Sequence, residues 1–193
     1  MFQIRIHGRG GQGVVSGAEM LSVAAFLEGR HSQAFPSFGS ERMGAPVMAF
    51  CRISDREIRL REPVTEPDAL IIQDPTLLHQ VDLFSGLSRS GFILINSSRS
   101  FEALGLAELA AGHPPGNRLA VPASEIALQH IGRPLPNAAL LGGFAALGGT
   151  IGIDALLEAI AMKFPGKTGK DNASAARAAY ELVKKEINHA ATA

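Results

Sequence analysis

Gly8-Arg9-Gly10-Gly11-Gln12-Gly13 holds the chain's densest chemical potential, because glycines at this spacing let backbone N–H groups approach a phosphate without side-chain obstruction. The loop has the Gly-x-Gly-x-x-Gly form, and Arg9 and Gln12 are its two side chains able to donate hydrogen bonds to an anion. Close packing of a helix on a strand demands the same glycines, so an anion cradle and a purely structural turn both stand at this point. A dinucleotide site would also need an acidic residue about 20 positions further on to hold the ribose hydroxyls. Gln33 and Ala34 occupy that neighbourhood, which argues against NAD(P); Arg30 is the one residue there able to meet a ribose phosphate.

A second chemically dense stretch, Pro36-Ser37-Phe38-Gly39-Ser40-Glu41-Arg42-Met43-Gly44-Ala45-Pro46, contains too many helix and strand breakers for regular structure and reads as an ordered loop. Phe35 and Phe38 would be its apolar anchors, and Arg42 either a phosphate ligand or an ion-pair partner. Ser37 and Ser40 suit turns better than nucleophilic catalysis, since no base accompanies them, and Glu41 has no substrate beside it that would make it a general base. Asn96-Ser97, at the end of an apolar run, can line the crevice at a strand terminus or close an Asx turn. His7, His31, His79, His113, His130 and His189 are scattered without metal-ligand spacing, so no metal site is expected. Gly166-Lys167-Thr168 resembles the end of a phosphate-binding P-loop, but Ala161 stands where its first glycine belongs and a helix precedes it.

The elements that must position these residues follow from periodicity. Phe2, Ile4 and Ile6 alternate with polar residues in a strand that enters the glycine loop, and Val14 to Leu27 carries helical spacing up to the stop at Gly29. Further strands are expected at 31–35 and 47–53, the latter turning at Ser54-Asp55 into a hairpin partner at 57–60. The apolar runs 69–73 and 91–96 read as strands buried on both faces, with a helix over 76–87 between them. Another strand at 119–121 leads to a helix capped by Ser124, and helices follow over 138–147, 154–164 and 173–187, the last starting at Asp171 or Asn172 and leaving a frayed tail from His189. The expected fold is one α/β domain, residues 1–193, with a mainly parallel Rossmann-like sheet flanked by helices, a β-hairpin addition and a helical C-terminal part.

Composition narrows function further. With 18 basic and 18 acidic residues, bulk attraction to nucleic acid or an anionic membrane is not expected, so any anion site must be local. The single cysteine, Cys51, can neither close an internal disulfide nor hold an iron–sulfur cluster alone. No signal peptide or membrane-spanning run is visible, which suits a cytoplasmic protein.

Ile6-His7-Gly8-Arg9-Gly10-Gly11-Gln12-Gly13, then Ala18-Glu19-Met20-Leu21 and Gln33 through Arg42, together resemble the gamma subunit of the pyruvate/2-oxoacid:ferredoxin oxidoreductase family. Agreement continues through Gly44-Ala45-Pro46-Val47, Pro67-Asp68, Asn96-Ser97, Pro122-Ala123 and Asn137 to Gly142, covering nearly the whole chain. The clearest departure is Met43, where the family commonly has a second arginine after the Glu-Arg pair. The resemblance implies a non-catalytic subunit of a complex that oxidatively decarboxylates a 2-oxoacid to an acyl-coenzyme A. Alpha and beta subunits and a ferredoxin-like delta subunit would be its partners, and ferredoxin or another carrier the electron acceptor. Thiamine diphosphate, magnesium and [4Fe-4S] clusters would reside on the partners, while this chain shapes or gates the coenzyme A channel. On that reading the loop from Pro36 to Pro46 faces a neighbouring subunit, and Gly8, Arg9, Gly10, Gly11, Gln12, Gly13, Ser37, Arg42 and Asn96 are the candidate coenzyme-binding residues. A free-standing NAD(P)-binding oxidoreductase and a purely structural adaptor are the alternatives.

Overall fold

The computed structural model describes residues 1–37 and 43–192. Six strands, β1 (Phe2–Arg9), β2 (His31–Pro36), β3 (Pro46–Ser54), β4 (Ala69–Ile72), β5 (Phe92–Asn96) and β6 (Arg118–Val121), form one sheet in the order β2-β3-β1-β4-β5-β6. The β1–β4, β4–β5 and β5–β6 pairings are parallel, whereas β3 is antiparallel to both β1 and β2. Five strands therefore run one way, and β3 alone among the described strands is reversed, wedged between β1 and β2. The hairpin addition is thus β2–β3. The expected partner strand at 57–60 does not form, because both edges of β3 are already taken.

Alternation decides the faces of the sheet. Ile4 and Ile6, with Ala49, Cys51, Ile71, Leu94 and Val121, face a layer of helices: α1 (Val14–Leu27), α3 (Ala123–Ile131), α4 (Asn137–Gly148), α5 (Ile153–Lys163) and α6 (Gly166–Thr192). The opposite face packs Ile72, Ile93 and Ile95 against Leu77, Leu83, Phe101, Leu104 and the short α2 (Ala107–Gly112). As their unbroken apolar runs suggested, β4 and β5 are covered on both sides. Helix α4 is buried almost all round and crosses α6 where a Cβ on Gly142 would lie on the Ala176 carbonyl oxygen. Only glycine permits that approach of two helix backbones.

The far face beneath β1 and β3 carries buried polar groups instead. Arg5 donates from Nη2 to the carbonyls of Leu83 (2.8 Å) and Ser85 (2.7 Å), and Arg52 donates from Nε to Gln3 Oε1 (3.0 Å) while stacking 5.2 Å from the centre of the Phe35 ring. Its Nη2 also holds the Glu62 carbonyl, so the two arginines fasten the irregular crossings 55–68 and 80–91 over the sheet. That is why the helix expected over 76–87 shrinks to a single 3-10 turn at Pro75–His79. Beyond it the chain must follow the sheet to bury Leu83, and then turns at Gly86, whose Cβ position is blocked by the Thr65 carbonyl.

Candidate functional site

The glycine loop sits at the carboxyl edge of the sheet between β1 and α1. Gly11 (φ +94°) and Gly13 (φ +74°) adopt left-handed backbone, which L side chains rarely take. A Cβ on Gly8 would meet Val14 Cγ2 at 2.6 Å, and one on Gly13 would meet Asn137 Nδ2, at the start of α4, at 2.5 Å. Gly8 and Gly13 are thus packing glycines that bring β1, α1 and α4 together, so the structural reading accounts for these two. Around Gly10, Gly11 and Gly13 a cleft of about 310 Å³ remains open over the first turn of α1, lined also by Arg9, Val14, Val15, Ser16 and Val47. That turn has no side-chain cap and no acidic residue, so the helix start keeps its positive character.

The two motifs, some 30 residues apart in sequence, meet in space. Gly10 N–H donates to the Ala45 carbonyl (2.9 Å) and Gly44 N–H to the Gly10 carbonyl (3.1 Å), zipping the Met43–Pro46 strap onto the glycine loop. Arg9 then fastens both to a third segment. It donates from Nη1 to the Gly44 carbonyl (3.0 Å), from Nε to Asp74 Oδ2 (3.1 Å), and from Nη2 to Thr76 Oγ1 (2.7 Å) and Gln80 Oε1 (3.0 Å). Gln12 is equally engaged: Oε1 accepts from Arg9 N–H (2.8 Å) and Nε2 donates to Asp74 (2.9 Å). Burial would raise the Asp74 carboxyl, but hydrogen bonds from Thr76 and Gln12 and the nearby Arg9 guanidinium outweigh it and hold the group below its ordinary value. Ser37, half-buried, closes the β2 end of the hairpin by donating its N–H to the Met48 carbonyl (2.8 Å). Arg42, with Phe38, Ser40 and Glu41, lies outside the described residues.

Asn96 ends β5 on the margin of a second cleft of about 350 Å³, lined also by Gln12, Gln73, Asp74, Ser98 and Ser124. Its amide donates to the Gln73 carbonyl (2.8 Å) and to Ser124 Oγ (2.8 Å), and its Oδ1 accepts from Ser124 N–H (3.0 Å). Asn96, rather than Ser124, therefore caps α3; the residue at the cap position is Pro122, which has no side-chain acceptor to offer. Both clefts lie where an open α/β sheet offers its ligand crevice. Asp74, Thr76 and Gln80 belong to this arrangement and were not singled out from the sequence, and Asn137 entered there only within the stretch that carries the family resemblance. Asp74-Pro75 was the available signal, an acceptor followed by proline at the start of a helical turn.

Other sequence features resolve plainly. Gly166-Lys167-Thr168 begins α6 directly after helix α5, and Lys167 pairs with Asp171, so no P-loop forms. Among the described residues no three His, Cys, Asp or Glu side chains are placed to share a metal ion, and no helix is long and apolar enough to cross a membrane. Cys51 is fully buried in β3, and burial pushes its thiol up to about 12, the reverse of the thiolate that a cluster requires. This chain's own residues thus do not fit a resident iron–sulfur centre.

A Rossmann-like sheet with an uncapped helix start over a glycine loop, and with the loop's side chains braced within the chain, defines an α/β domain with an open cleft at the carboxyl edge of its sheet. The family model for pyruvate ferredoxin/flavodoxin oxidoreductase matches residues 3–182, and the chain belongs to that family as a gamma-type subunit of a pyruvate/2-oxoacid ferredoxin oxidoreductase. Its relatives include the pyruvate synthase subunit PorC of Methanothermobacter marburgensis, 48% identical over 184 residues that cover 95% of this chain and 98% of that one. The common gamma subunit of the pyruvate/ketoisovalerate oxidoreductases of Pyrococcus furiosus is 45% identical over 181 residues, covering 94% and 96%. The crystal structure of the pyruvate oxidoreductase subunit PORC of Thermotoga maritima superposes with a TM-score of 0.77 at 37% identity, over 93% of this chain and 95% of that one. The 2-oxoglutarate:ferredoxin oxidoreductase of Magnetococcus marinus, with coenzyme A and succinyl-CoA bound, has the same fold within 31% of one chain (TM-score 0.67, 17% identity, 95% of this chain covered).

Proposed function

We propose that this chain serves a thiamine-diphosphate-dependent complex that converts a 2-oxoacid to an acyl-coenzyme A and carbon dioxide, and that its part is to shape the coenzyme A channel. Alpha, beta and ferredoxin-like delta subunits would supply thiamine diphosphate, magnesium and [4Fe-4S] clusters, and ferredoxin or another carrier would take the electrons. The observation that supports this role is the first turn of α1, uncapped, free of acid and opening into the 310 Å³ cleft at Gly10, Gly11 and Gly13. That volume suits a phosphate-bearing part of the coenzyme, held by backbone N–H groups and the helix dipole. By covering the channel the chain would exclude water from the acyl intermediate and orient the incoming thiol.

Ser16→Asp tests the cradle. A carboxylate in the first turn favours the helix but repels an anion, so folding should be kept while the coenzyme A KM of the assembled complex rises severalfold. Arg42→Ala should likewise raise that KM more than it slows decarboxylation. Loss of decarboxylation in an intact complex, or a coenzyme A KM untouched by Ser16→Asp, contradicts the reading. If such variants alter only assembly, the chain is a structural adaptor.

A further inference from the structure

Arg9 is the residue that reading the sequence would choose as an anion ligand, yet its geometry says otherwise. Its Nε, Nη1 and Nη2 all donate within the chain, reaching the strap before β3, the turn after β4 and, through Gln80, the residue closing that turn. The partners come from positions 35 to 71 residues away, and they surround the guanidinium while leaving about a fifth of its side chain exposed. Asp74 is its ionic anchor and also the acceptor for Gln12 and for the Thr76 hydroxyl and N–H. A planar fork can bridge several loops at once; a lysine ammonium at the same place cannot.

We propose that Arg9 and Asp74 form a latch that positions the glycine loop against the Met43–Pro46 strap, so that Arg9 acts on any ligand of the α1 cleft only through the loop it holds. Arg9 is then a positioning residue. The ligand-side consequence rests on the coenzyme A reading above; the latch itself does not.

The discriminating property is the sign of the Asp74 effect. If Arg9 bound an anion directly, Asp74 would compete for it, and Asp74→Asn would release the guanidinium and lower the coenzyme A KM or leave it unchanged. If Arg9 is a latch, Asp74→Asn loosens the same loop and moves the KM in the same direction as Arg9→Ala. The experiment uses the purified complex carrying Arg9→Ala, Arg9→Lys, Asp74→Asn and the double variant Arg9→Ala/Asp74→Asn. Two readouts are taken: amide hydrogen exchange at Gly10 and Gly44, and the coenzyme A KM and kcat.

The latch predicts that exchange at Gly10 and Gly44 quickens by roughly tenfold or more in both single variants, since opening of a surface segment is governed by its few local bonds. The coenzyme A KM rises in both at nearly constant kcat, Arg9→Lys rescues neither readout, and the double variant is no worse than Arg9→Ala. Unchanged exchange in both single variants overturns the latch, as does a KM that rises in Arg9→Ala but falls or holds in Asp74→Asn, or full rescue by lysine. Faster exchange with an unmoved coenzyme A KM upholds the latch and removes the coenzyme reading instead.

Discussion

His7 gives a stability prediction that can be worked from the structure. It lies on the far face of β1, 7% exposed, and burial followed by the neighbouring Arg5 charge lowers its imidazole from 6.5 to about 4. A base whose folded value is depressed binds its proton more readily in the unfolded chain, so stability is full above about pH 6.5 and falls as pH drops toward 4. At about 1.4 kcal/mol per pH unit the loss reaches ~2.5 kcal/mol by pH 4.5 and ~3 kcal/mol near pH 4. The Asp74 carboxyl, held below its ordinary value, adds its own loss only below about pH 4, outside this window. Urea unfolding of the native chain and of His7→Gln, followed between pH 8 and 4.5, isolates the effect as the difference between two curves. The native chain should lose ~2.5 kcal/mol more than the variant over that range. Parallel curves would refute the reasoning, because they would mean that His7 takes up its proton in the folded state without cost.

Two further predictions rest on packing. Gly142→Ala puts a methyl group on the Ala176 carbonyl and must separate α4 from α6, so it should cost at least ~2–3 kcal/mol and lower the thermal midpoint by several degrees; a variant as stable as the native chain would contradict the crossing described. Cys51, fully buried with its thiol raised to about 12, should resist a thiol reagent in the folded chain and react only at the rate of unfolding, whereas fast stoichiometric labelling at pH 8 would show β3 to be accessible.

The class of fold was legible because its signals are local. The polar–apolar alternation of β1, the uninterrupted apolar runs of β4 and β5, and glycines between a strand and a helix each report their own neighbourhood. What stayed hidden depends on distant partners. Nothing near 57–60 reveals that β3 has no free edge, and nothing near Arg9 reveals Asp74, 65 residues on, or Gln80 beyond it. Helix α6 begins at Gly166 rather than at Asp171 or Asn172, despite two glycines that disfavour helix; one of them, Gly169, is required there because a Cβ would strike the Phe164 carbonyl. The helix also continues through His189 to Thr192, where sequence suggested fraying. In the candidate site, Arg9 and Gln12 read from sequence as donors an anion could use, but both are committed within the chain; Asn96 lines a crevice and caps α3, and the cleft over the first turn of α1 is what remains open.

The most direct test of the central claim is purification of this chain in its native state from its source cells, with assay of bound thiamine diphosphate and iron and of 2-oxoacid-dependent electron transfer. The account predicts co-purification with subunits that bear thiamine diphosphate and iron–sulfur clusters, and coenzyme A-dependent oxidation of a 2-oxoacid by the assembly. A lone chain that binds NAD(P) and carries neither partner nor 2-oxoacid activity would contradict it.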